Sequence, residues 1–137
     1  MIIYSLLFVF MFTHWGNHGF GDSARIPLKN GLALENIDWN AVAYIEEIKT
    51  ENNSTLETTK FLITDNQLLG NLESNFYDYS NKYFVLDIKT KKLTEFKDEK
   101  SFDIYLHKNT SSGRNNLLNF EDNYHKYWNG WKFWLLP

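Results

Sequence analysis

Between Ala41 and Phe96 the chain repeats one kind of segment: a short run rich in apolar and β-branched residues, closed by residues that turn the backbone. The clearest is Lys82 to Ile88 (K-Y-F-V-L-D-I), which Lys89-Thr90-Lys91-Lys92 turns back into Leu93 to Phe96. Ala41 to Lys49 and Leu56 to Thr64 form a second pair, with the polar stretch Thr50 to Thr55 as their hairpin loop. Such runs fit a pleated, half-buried surface. Upstream, Ile26-Pro27-Leu28 is extended because proline restricts itself and its neighbour. Asn30-Gly31 and Asp38-Trp39-Asn40 are turns that bound a short strand, Leu32 to Ile37. Leu68-Leu69 is a brief apolar piece, and Asn71 to Asn81 reads as a loop whose Phe76, Tyr77 and Tyr79 pack partly on the core.

Helical spacing appears only afterwards. Asp98 can cap a helix that buries Phe102, Tyr105 and Leu106. Leu117, Phe120, Tyr124 and Trp128 keep the same spacing, and Gly130 suits the stop. Strands first and helices late, without alternation, predict an α+β fold. The expected architecture is a single antiparallel sheet of about four to six strands with two helices in the C-terminal half.

The N-terminus is different. Ile2 to Phe12 is almost wholly apolar, and no charged residue occurs before Asp22. As a helix this run is roughly 17 Å long against ~30 Å for a bilayer core, a length closer to a signal-peptide core than to a full span. No Lys or Arg precedes it, and no convincing small-x-small cleavage site follows; one expectation is that the true start lies upstream of Met1 and a basic stretch is missing. We expect an N-terminal apolar helix, with residues 1–21 a signal or anchor plus linker and residues 22–137 a small α+β domain. Residues 2–20 then direct the chain to a membrane, giving an envelope protein that is anchored or secreted. The competing expectation is a buried core strand, since Ile, Phe and Val favour strands.

Composition excludes several classes. The chain has no cysteine, which removes disulfides, thiolate catalysis and cysteine zinc sites. A formal charge of −3 lacks the basic footprint that nucleic acid requires. Lys89, Lys91 and Lys92 fit a solvated hairpin tip. His14 and His18 have chelating spacing, but Gly16 lies between them and no third ligand is close in sequence, so no metal is expected. No glycine-rich phosphate loop occurs, and no cofactor is expected. Glu46 and Glu47 are neighbours on a strand, so they should point to opposite faces.

Gly21-Asp22-Ser23 near the start and Asp122-Asn123-Tyr124-His125 near the end carry one catalytic pattern. It resembles the first and last sequence blocks of the GDSL/SGNH hydrolases. The resemblance implies Ser23 as nucleophile, His125 as base and Asp122 as the orienting acid. It covers under a tenth of the chain, and the family's middle glycine block and G-x-N-D block have no counterpart.

The C-terminus is dense in aromatics, from Tyr124 to Trp134. Tyr124 and Trp128 suit the core, whereas Trp39, Tyr127 and Trp134 are candidates for an exposed surface that meets a protein or glycan partner. The sequence therefore favours a non-enzymatic, envelope-associated binding protein. The alternative is a small serine hydrolase that uses Ser23, Asp122 and His125.

Overall fold

The computed structural model describes residues 2–6 and 23–129. A short helix α1 (residues 2–6) is followed, in the described chain, by β1 (Ser23–Pro27), β2 (Ala33–Ile37), β3 (Ala43–Lys49) and β4 (Thr55–Thr58). Next come β5 (Phe61–Ile63), β6 (Gln67–Asn71), β7 (Tyr83–Asp87) and β8 (Lys92–Phe96), then helices α2 (Glu99–Asn109) and α3 (Phe120–Tyr127). The α+β class holds. The single sheet does not: there are two four-stranded antiparallel meanders, β1-β2-β3-β4 and β5-β6-β7-β8.

The split falls inside the segment Leu56 to Thr64, which reads as one strand. Thr59 and Lys60 leave the first sheet and enter the second, and Asn71 holds the corner. Its Oδ1 accepts the amide N–H of Thr59 at 3.2 Å and of Lys60 at 2.8 Å. Its Nδ2 donates to Thr59 Oγ1 at 2.8 Å and to Glu73 Oε2 at 2.9 Å. Beside it, Gly70 leaves room for the corner. A Cβ there would meet the Lys60 carbonyl oxygen at 2.8 Å and Phe84 Cε1 at 2.9 Å. The Leu68-Leu69 piece is thus part of β6, a central strand between β5 and β7.

Period-two burial lets both sheets share one core. Ala24, Ile26, Leu34, Ala43, Ile45 and Leu56 from the first sheet meet Phe61, Leu68, Phe84 and Leu86 from the second. On the opposite face of the second sheet, Leu69 and Val85 receive Phe102 and Leu106 of α2. Helix α2 is capped as expected, with Asp98 Oδ1 accepting from Ser101 N at 2.8 Å. Arg114 fastens it from the next loop, 2.7 Å from Asp103 Oδ1 and 2.9 Å from Glu99 Oε2. Helix α3, capped by Asn119, adds Phe120, Tyr124 and Trp128 to the shared core. Asn123 is buried there and its Nδ2 donates to the carbonyls of Phe61, Leu118 and Asn119.

Three local expectations need correction. The register of β3 against β4 shifts between Ile45 and Lys49, and this irregularity breaks strict alternation. Glu46 and Glu47 are consequently both exposed, between buried Ile45 and Ile48. In the 71–81 segment, Tyr79 packs on the core, whereas Phe76 is 85% exposed and Tyr77 is exposed too. Leu117 precedes α3 instead of lying in it. The expected N-terminal apolar helix is described only over residues 2–6, where Ile2, Ile3, Tyr4 and Leu6 are exposed. The rest of that segment, the Gly130 stop and Trp131 to Trp134 lie outside the described residues.

Candidate functional site

The outer face of β3 and β4, turned away from the shared core, carries a groove of ≈ 510 Å³. Its position follows from strand parity. Ala43 and Ile45 point into the core, so Tyr44 and Glu46 point outward, and on β4 Leu56 points in while Thr55 and Glu57 point out. Ile37 and Asp38 close one end, where Asp38 and Trp39 both take positive φ (58° and 50°). Buried Asn36 supports this turn by donating to the carbonyls of Asn40 and Val42 at 2.8 and 2.9 Å. The opposite wall is the turn bearing Phe76, in which Ser74 Oγ accepts the amides of Phe76 and Tyr77 at 2.9 and 3.0 Å.

The lining is of mixed character with one sign of charge. Ile37, Val42, Tyr44 and Phe76 supply apolar and aromatic surface, while Asp38, Glu46 and Glu57 supply carboxylates. Among the described residues no Lys, Arg or His lines it, though Lys49 Nζ donates to the lining Thr55 Oγ1 at 3.0 Å. Among the described residues none of these three carboxylates has an ion-pair partner; the nearby Glu35, by contrast, is paired with Arg25 at 3.5 Å. Glu57 Oε2 is also cut off from solvent without a hydrogen-bond partner among the described residues.

Two phenols, Tyr44 in the groove and Tyr79 behind it, are shifted upward. Burial raises Tyr44 above the ordinary phenol value, and the Glu35 and Glu46 carboxylates raise it further. Burial pushes Tyr79 up to about 12, with the Glu57 carboxylate as the next cause. In both cases neighbouring negative charge disfavours a second anion.

The residues singled out in the sequence fall elsewhere. Ser23 opens β1 and is exposed; Asp122 and His125 lie on α3 and are exposed. Helix α3 packs against β1, because Trp128 Nε1 donates to the Arg25 carbonyl at 2.9 Å. The elements carrying the three residues are therefore neighbours. The carboxylate that faces His125 Nε2 is Glu121, at 3.8 Å, with both side chains more than two-thirds exposed. Trp39 is 47% exposed, and its ring edges meet Phe120 and Tyr124 of α3. Tyr127 is half-buried, stacked edge-on against Trp128 at 4.9 Å. Trp134, His14 and His18 lie outside the described residues.

Among the described residues no group of three or more metal-ligating side chains converges, and no helix is long and apolar enough to cross a membrane. The groove residues Tyr44, Glu57 and Phe76 were not legible as a site, though the outward parity of Tyr44 and Glu46 was a usable signal. Compared with known protein families, curated proteins and solved structures, the chain matches none.

Proposed function

We propose that the protein is a non-enzymatic binding protein, directed to a membrane by its apolar N-terminal segment, whose docking site is the groove on β3 and β4. The observation that carries the reading is the groove itself: aromatic and apolar walls beside three carboxylates that make no ion pair among the described residues. Concave sites that join apolar surface to a few placed polar groups are the usual form of a binding site. The exposed apolar side chains of Ile2, Ile3 and Leu6 support membrane direction, since a surface of this kind is stable in contact with lipid. The partner class is a protein or a glycan.

Localisation is tested by fractionating native cells and sequencing the mature N-terminus. Recovery in the membrane or secreted fraction is expected; recovery only in the soluble intracellular fraction defeats the membrane part. The binding part is tested by titrating the labelled full chain, in a zwitterionic detergent, with panels of short peptides and oligosaccharides. Amide shifts should cluster on residues 42–46, 55–57 and 75–77. Shifts that avoid these residues, or no binding from either panel, defeat it.

A further inference from the structure

We infer that the occupant of the β3–β4 groove is an extended peptide segment that carries Lys or Arg two positions apart, with apolar residues on the same face. The inference rests on the binding reading above and names the partner's chemistry. Charge complementarity selects the occupant. Asp38, Glu46 and Glu57 line one groove, and among the described residues none of them makes an ion pair; Lys49 reaches the groove only at Thr55, whose Oγ1 accepts from its Nζ at 3.0 Å. A ligand carrying N–H donors and positive charge pairs with these carboxylates; an acidic ligand is repelled by them.

The walls refine the choice. Tyr44 and Phe76 present ring surface beside the acids, and a ring face attracts a guanidinium or ammonium while an apolar side chain packs on Ile37 and Val42. A simple metal cation would leave that apolar surface unused. A neutral glycan would use the rings but leave the carboxylate charge unmatched. In an extended peptide alternate side chains point the same way, so basic residues two apart can meet Glu46 and Glu57 on adjacent strands.

The test uses the full chain in a zwitterionic detergent, so that no anionic lipid competes for the probe. Nitrogen–proton correlation spectra are recorded during titration with Ac-Leu-Ser-Arg-Ser-Arg-Ser-Leu-NH2, in which the Leu and Arg side chains share one face. The same peptide with Glu or Gln in place of Arg, and a neutral chito-oligosaccharide, serve as comparisons. The basic peptide should shift amides in residues 42–46, 55–57 and 75–77, and its affinity should fall as salt rises from low to physiological strength. Glu46→Gln and Phe76→Ala, both at exposed positions and so compatible with the fold, should each weaken it by roughly three- to tenfold. Glu57→Gln should weaken it at least as much as Glu46→Gln.

The inference is overturned if the Gln or Glu peptide binds as tightly as the Arg peptide, or if neither Glu46→Gln nor Phe76→Ala changes affinity. Groove shifts with the oligosaccharide alone overturn it while leaving the binding reading intact. Silence from every probe removes both.

Discussion

The indole N–H of Trp128 donates to the main-chain oxygen of Arg25 at 2.9 Å, joining two residues 103 positions apart. This bond ties the end of α3 to the outer edge of β1, the edge strand of the first sheet. Trp128 is also buried in the core that both sheets share. Trp128→Phe keeps a ring there and removes the donor. It should cost about 1 kcal/mol, the usual net contribution of a hydrogen bond, since the Arg25 carbonyl is only partly buried. Urea denaturation of the variant against the parent chain measures the difference. A change within error would show that water replaces the indole.

The corner between the sheets should be less forgiving than its polar composition suggests. Gly70→Ala places a methyl against the backbone oxygen of Lys60 and the ring of Phe84, neither of which is a flexible chain end. The expected loss is about 1–3 kcal/mol, typical of overpacking. Asn71→Ala removes the acceptor for the Thr59 and Lys60 amides and should loosen the same corner. Because the two positions adjoin and share Lys60, their effects should not add. A double-mutant cycle in urea checks both statements, and strict additivity would mean that the corner is not one unit.

The strands and helices were largely legible, because burial periodicity is local. Phe84 and Leu86 alternate into one core while Val85 faces α2, and a run such as Lys82 to Ile88 already carries that pattern. Asp98 and its helix could be read for the same reason. The division into two sheets was not legible. Nothing in Thr58-Thr59-Lys60 breaks a strand by itself; the break is made by the side chain of Asn71, more than ten positions later. The site was hidden for a related reason. Phe76 gains its meaning from lying across from Tyr44, and the carboxylates of Asp38, Glu46 and Glu57 are brought to one groove by sheet pairing and a turn. The residues of the catalytic resemblance lie on neighbouring elements, β1 and α3, where His125 Nε2 is 3.8 Å from Glu121 Oε1.

Acid should weaken the α2 cap in a defined direction. The Asp98 carboxylate lies below its ordinary value, first because it accepts the Ser101 amide and then the Ser101 hydroxyl. A carboxyl whose folded pKa is depressed contributes stability that is present above its unfolded value and lost as pH falls through the folded one. Stability of the parent chain should therefore decline on acidification below the usual carboxylate range. Asp98→Asn still offers a capping oxygen but does not titrate. Its stability should be lower near neutrality and should fall less on acidification. Denaturation midpoints across a pH series, compared between the two chains, test the sign; equal slopes would remove the cap from the acid dependence.

Covalent labelling separates the binding protein from the hydrolase. A serine nucleophile needs a base within hydrogen-bond reach and a held, partly desolvated setting in which its charge is stabilised. His125 is instead about 70% exposed, and its carboxylate neighbour is 3.8 Å away, beyond a hydrogen bond. Exposed pairs of this kind hold a ring weakly. A fluorophosphonate probe should therefore fail to modify Ser23, and Ser23→Ala and His125→Ala should match the parent chain in any background ester hydrolysis. Mass spectrometry of the probe-treated protein reads the first outcome. Labelling of Ser23 that disappears in His125→Ala would establish a nucleophile and its base, and the non-enzymatic reading would then be wrong.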